Sequence, residues 1–251
     1  MKLNRPFKSV LFTGLACSMS MLTFPSLLNA QEAKMIKIKL DQPIAKVQPN
    51  MWGVFFEDIN FGADGGIYAE LIKNRSFEFA KPLMGWTVSR PRAQEGEVLV
   101  VNRKEKNTAN PRYLQVSKLT DDFELINEGF KGIGVKKGMR YDFSVMYRQL
   151  EPGVKLVLML KDPNQKIIGQ GAVTFTGQGN NWQNQTASFV ATETNPKAKF
   201  SILFQGKGKV DLDMISLFPG DTWKNRPQGL RADMVQLLAD MKPGFIRFPG
   251  G

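Results

Sequence analysis

Between Tyr113 and Phe218 the chain repeats one pattern eight times: a short run rich in β-branched and aromatic residues, closed by turn-forming residues. The runs are YLQVSKL, FKGIGVKKG, YDFSVMYRQ, KLVLMLKD, KIIGQGAVTFTG, NQTASFVAT, AKFSILFQG and KVDLDMISLF. Such runs read as strands. The segments between them have the matching turn chemistry, at Asp162-Pro163-Asn164, Gly177-Gln178-Gly179-Asn180 and Gly206-Lys207-Gly208. Many strands at short spacing, with no amphipathic helix among them, predict an antiparallel β-sandwich over residues 85–219. A stretch of about 130 residues is enough for one such domain.

The flanks read differently. Residues 51–84 open with Trp52, Val54, Phe55 and Phe56, an apolar run too short for a helix, which ends abruptly in Glu57 and Asp58. A strand that is apolar along its length and charged at its C-terminal tip delivers a carboxylate from a rigid element into a pocket, as in parallel α/β barrels. Three glycines follow, Gly62, Gly65 and Gly66, and then Ile67, Leu71 and Ile72, spaced for a short helix. At the other end, 220–229 is a polar connector. Leu230, Met234, Leu237, Leu238 and Met241 then predict a helix that stops at Lys242-Pro243-Gly244, and Phe245–Phe248 predicts a strand before Pro249-Gly250-Gly251. Ahead of all this, residues 31–50 alternate lysine with Ile36, Ile38 and Leu40, the period of a half-exposed strand.

Composition narrows the chemistry. The sequence has no histidine, and its single cysteine, Cys17, lies in residues 1–30. That segment, with Lys2, Arg5 and Lys8 ahead of an apolar centre, reads as a secretory signal peptide cut near Ala30. Lipid attachment at Cys17 is disfavoured because Gly14 stands where a lipobox wants leucine. The remainder is left without imidazole or thiol, which excludes Ser-His-Asp and Cys-His catalysis and imidazole metal sites. Any catalysis runs on carboxylates. The full chain carries a formal +11, but its charges are interspersed. Residues 90–112 mix six basic residues with Glu95, Glu97 and Glu105 and read as a solvated face or loop, not a nucleic-acid groove. No nucleic acid and, after leader cleavage, no membrane is expected as a partner, and a secreted or periplasmic location follows from the leader.

GVFFEDINFGADGGIYAELIKNRSFEF, together with the terminal FIRFPGG, resembles the N-terminal signature and second barrel strand of family 51 glycoside hydrolases, the α-L-arabinofuranosidases. FKGIGVKKGMRYDFSVMYR and KVDLDMISLFP are similar to the jelly-roll carbohydrate-binding modules of families 4 and 9. The resemblance implies a mainly β chain with an α/β remnant: a jelly-roll-like sandwich inserted between the first two strands of an incomplete (β/α)8 barrel. It also implies a retaining enzyme that releases arabinofuranosyl groups from plant polysaccharide. In the family both catalytic glutamates come from later strands, so no catalytic residue is assigned here and the chain is expected to be inactive alone. A split or prematurely ended reading frame is the expected origin. Oligomerisation is a property open to the full-length family.

Glu57 carries over as a contact to arabinose hydroxyls, with a structural salt bridge as the alternative. Arg247 carries over as an arginine that orients a carboxylate, with pairing to Glu57 or Asp58 as the alternative. Trp86, Tyr141, Tyr147 and Trp182 are candidate platforms for sugar rings, because an aromatic face matches the apolar face of a sugar; core packing is the alternative for each. Trp223 is assigned to a domain interface. Asp58, Asn60 and Asp64 are expected to cap the loop. Asp211 and Asp213 share a strand face, either as a solvated edge or as two ligands of a structural calcium. No other cofactor or metal is expected. Two readings outside catalysis stand beside the enzyme: a non-catalytic polysaccharide-binding sandwich, and a chain that folds poorly because two orphan barrel strands expose apolar faces.

Overall fold

A computed structural model describes residues 35–90, 97–104, 108–118 and 121–248. The proposed leader, its Cys17 and the final Pro249-Gly250-Gly251 lie outside the described residues. Residues up to Lys46 form one unit and residues from Val47 onward another.

In the first unit the predicted strand is not formed. Residues 35–46 have no regular structure, and Ile36, Ile38, Leu40 and Ile44 are all exposed. Alternation marks a strand only where an edge supplies its hydrogen-bond partners, and none pairs with this segment among the described residues.

The second unit begins with β1 (Val54–Phe55) and continues through β2 (Trp86–Val88), β3 (Val98–Asn102), β4 (Arg112–Lys118), β5 (Phe123–Asn127), β6 (Ile133–Val135) and β7 (Arg140–Glu151). It goes on with β8 (Lys155–Lys161), β9 (Ile167–Thr174), β10 (Gln183–Val190), β11 (Asn195–Gln205) and β12 (Gly208–Pro219), then α1 (Ala232–Asp240) and β13 (Ile246–Arg247). Two antiparallel sheets stack as a sandwich. One has the order β10-β7-β12-β4-β3 and the other β2-β5-β11-β8-β9, with β6 also on β11. All eight expected runs are strands, and β2, β3 and β5 are additions. The strand β3 lies inside the charged stretch that reads as a loop, where Val98 faces the core while the next residue, Leu99, is exposed.

Period-2 alternation builds the interior. In β7, Tyr141, Phe143, Val145 and Tyr147 point inward while Asp142, Ser144, Met146 and Arg148 point outward. In β12 the inward set is Val210 and Leu212, then Ile215 and Leu217. The parity changes because the register shifts between Asp213 and Ser216, with Met214 at φ 49°, the mark of a bulge. The bulge keeps Asp211, Asp213, Ser216 and Phe218 together on the outer face.

The flanking strands come together. β1 and β13 pair in parallel, Val54 beside Ile246 and Phe55 beside Arg247, so the whole sandwich lies between two adjacent parallel strands. The predicted helix after the glycines is absent. Its backbone bonds to neighbours instead: Ala69 N–H to the Gly229 carbonyl (3.2 Å), Leu71 N–H to Leu217 (3.0 Å), and Arg231 N–H to Ile67 (2.8 Å). The helix α1 forms where its periodicity indicates, but none of its residues is buried.

Candidate functional site

The lip formed by β1 and β13 presents two layers. Phe56 and Phe248 pack with ring centroids 5.4 Å apart, and on the other face the Arg247 guanidinium lies 5.3 Å over the Phe55 ring. Arg247 therefore rests on an aromatic face, and neither of its expected carboxylate pairings is made among the described residues. Glu57 follows two residues after Phe55, is half-buried and has no ion pair among the described residues. Asp58 caps the loop, its Oδ1 accepting the Ala63 N–H at 2.9 Å. Asn60 and Phe61 carry the turn in the left-handed region (φ 53° and 64°).

A second cluster covers the outer face of the β7-β12-β4 sheet. Asp211 Oδ2 accepts Arg148 Nε (2.8 Å) and Nη2 (2.6 Å), and its Oδ1 accepts Gln115 Nε2 (3.1 Å). Asp213 Oδ2 accepts Arg103 Nη2 (2.5 Å) and Asn110 Nδ2 (3.0 Å), and its Oδ1 accepts the Met214 N–H (2.7 Å). Burial pushes the Asp213 carboxyl up, against the Met214 N–H, Arg103 and Asn110, which pull it down. The expectation of a solvated edge or a calcium pair is thus corrected. Both aspartates are buried and their oxygens are taken by arginine and amide donors, because alternation with the inward Val210 and Leu212 puts them on the outer face beneath Arg103 and Arg148.

Trp182 lies over this network, with Arg103 and Arg148 4.6 and 4.9 Å from its ring centroid and Tyr113 meeting it edge-on at 5.6 Å. Cations over an indole are mutually stabilising, and more so as water is excluded. The ring is half-buried, so part of it remains open to solvent. Trp86 is different. It is 5% exposed, its Nε1 donates to the Asn74 carbonyl at 3.0 Å, and its ring stacks on Phe77. It is a core residue and not a sugar platform. Tyr141 and Tyr147 are likewise buried.

A third feature, with no local signal in the sequence, is a cavity of about 550 Å³ at the end of the sandwich, walled by Tyr68, Phe130, Lys136, Asp221 and Arg231. Glu70 lies against it, 1% exposed, with Oε1 accepting the N–H groups of Ile72 (2.9 Å) and Leu217 (3.0 Å). Burial raises its carboxyl to about 7, opposed by those two N–H groups, Ser216 and Arg75. Arg103 and Arg148 were also missed; the outward charge of Arg148 on β7, opposite Asp211, was the available signal.

Residues 69–208 match the model of the carbohydrate binding domain family. An extracellular exo-α-L-arabinofuranosidase of Streptomyces chartreusis is 37% identical over 235 residues, 89% of this chain and 26% of that protein. α-L-Arabinofuranosidase 2 of Arabidopsis thaliana is 27% identical over 90% of this chain and 35% of its own length. Among solved structures, the arabinose-bound MgGH51 α-L-arabinofuranosidase superposes with a TM-score of 0.71 at 30% identity, over 84% of this chain and 36% of that one. The chain thus spans little more than a third, or less, of these relatives.

Proposed function

From the membership of this chain in the carbohydrate binding domain family, we propose that it is the polysaccharide-engaging portion of a secreted, retaining α-L-arabinofuranosidase that removes arabinofuranosyl groups from arabinoxylan or arabinan. The observation that carries this reading is the parallel pairing of β1 with β13 across the entire sandwich. An independent β-sandwich has no need of such a pair, whereas a parallel barrel begins with one. The extracellular relative and the leader-like first 30 residues support secretion into the periplasm or medium.

Retention requires two carboxyl groups about 5 to 5.5 Å apart, one protonating the leaving oxygen and one attacking the anomeric carbon. Glu57 and Asp58 do not supply that pair. Adjacent residues of a strand face opposite sides, and Asp58 is committed to the loop. Glu57 serves instead to accept hydrogen bonds from arabinose hydroxyls, which are strengthened by its charge. Arg247, held flat on Phe55, orients a carboxylate of the completed site. Trp182 offers its open portion to a polysaccharide chain. The reaction calls for no cofactor.

Hydrolysis of an aryl α-L-arabinofuranoside tests the assignment. The 251-residue chain should turn over none, and in a longer polypeptide carrying the remaining barrel Glu57→Gln should lower kcat/KM by about 10- to 100-fold. Turnover by the chain alone, or an indifferent Glu57→Gln, would contradict it. One observation favours the second reading, a purely binding protein: the sandwich closes one core together with Ile72 and Phe77 of the segment before it, while no residue of α1 is buried. Under that reading the longer polypeptide binds and never hydrolyses.

A further inference from the structure

Beside the cavity at the end of the sandwich lies a second cleft of about 490 Å³, and the two share Phe130 and Gly132 as a dividing wall. Its charge is one-sided. Lys73, Lys131, Lys197 and Lys199 line it, against a single carboxylate, Glu128. Glu128 pairs with Lys73 at 2.8 Å, and Lys197 Nζ donates to the Lys131 carbonyl at 2.8 Å. Among the described residues neither Lys131 nor Lys199 has an ion-pair partner.

The cleft is built before any ligand arrives. Asn127, fully buried, accepts the N–H groups of Lys73 (3.1 Å) and Gly129 (2.9 Å) on Oδ1 and donates Nδ2 to the Lys73 carbonyl (2.9 Å). One side chain thus clamps the Lys73 segment to the turn that carries Phe130 and Lys131. Gly132, at φ +92°, lets the Lys197 backbone pass where a Cβ would press against it. Opposite, Asp162 Oδ1 accepts the N–H groups of Asn164 and Lys166, both at 2.8 Å, and so fixes the turn that brings Pro163 and Gln165 to the rim.

We propose that this cleft recognises uronate sugars of an acidic polysaccharide, their carboxylates held over Lys131, Lys197 and Lys199 while the neighbouring unit of the same chain enters the adjoining cavity past Phe130. The inference rests on the polysaccharide-binding reading and deepens it. Lysines are mobile point charges without the planar fork that fixes a single phosphate, and exposed pairs of this kind are individually weak and salt-screened. Such a lining suits a polymer that presents a carboxylate at successive units, where many weak contacts add through linkage. The aromatic divider supplies what a bare anion site lacks, an apolar surface for a sugar ring.

Calorimetric titration of the whole chain with an oligogalacturonide and with its carboxyl-reduced form provides the test. The acidic form should bind about tenfold more tightly at low ionic strength, and the preference should vanish near roughly 0.5 M salt. Lys131→Glu/Lys199→Glu should abolish the preference and leave binding of the reduced form unchanged. Lys155→Glu/Lys207→Glu makes the same change in net charge at exposed positions outside the cleft and should retain the preference. Equal losses in the two double variants, or no preference in the parent, would overturn the proposal while leaving polysaccharide binding intact. Failure of both oligosaccharides to bind would also overturn the cleft proposal, whereas the binding reading itself falls only if arabinan and arabinoxylan fail to bind as well.

Discussion

Glu70 joins the segment after β1 to the sandwich by accepting the Leu217 N–H across the sheet and the Ile72 N–H within its own segment. Its carboxyl titrates near 7 in the fold and near 4.5 in a model peptide. Between those values the folded chain binds more protons than the unfolded chain, so this group makes stability fall as pH rises from about 4.5 to about 7 and adds no slope outside that window. The drop is on the order of 3 kcal/mol. Glu70→Gln should flatten that slope in urea titrations run at several pH values; an unchanged slope would assign it elsewhere. Arg148 has a simpler role. Removing it leaves Asp211 buried with a charge and one amide donor, so Arg148→Ala should cost roughly 3 kcal/mol, read as a lower urea midpoint. Neither role was legible beforehand, because carboxylate burial depends on which side chains fold over a face and not on local pattern. Glu57 and Asp58 were legible as a strand tip, and Asp58 as a loop cap, because those signals are local. Trp86 was ambiguous for the same reason as Glu70: an indole suits a core and a sugar equally well until its neighbours are known.

Among the elements, those with strong alternation were the readable ones. The strands β4 and β7 to β12 match apolar-rich runs, alternating in β7 and continuously apolar from Leu156 to Leu160 in β8, and the shift from Val210 and Leu212 to Ile215 and Leu217 is written in the sequence as a broken alternation. Short or polar-flanked β2, β3 and β5 were not read, since three to five residues carry too little period. The helix expected over Ile67–Ile72 failed because tertiary partners compete for its backbone. The junction of β1 with β13 depends on Gly53, where a Cβ would stand 2.5 Å from the Phe245 carbonyl oxygen, the group that accepts the Val54 N–H. Gly53→Ala should therefore push β13 away. Trypsin should then cut within residues 224–247 several-fold faster while the thermal midpoint of the sandwich stays put, whereas unaltered cleavage would mean that the pairing is not held there.

For the molecule as a whole, the sandwich is accompanied by two parallel strands and a helix that leave apolar side chains in solvent, including Phe55, Leu237, Phe245, Ile246 and Phe248. Exposed apolar surface of this kind marks an interaction face, and its location beside Glu57 and Arg247 fits a barrel completed by further polypeptide. Under the proposed reading, the sandwich, with the half-open Trp182 beside its arginine pair, binds polysaccharide without that completion. Affinity electrophoresis of the purified 251-residue chain through gels containing arabinan or arabinoxylan addresses this. Retardation by either polysaccharide, reduced by Trp182→Ala, is the predicted result. Migration identical to that in a polysaccharide-free gel would contradict it.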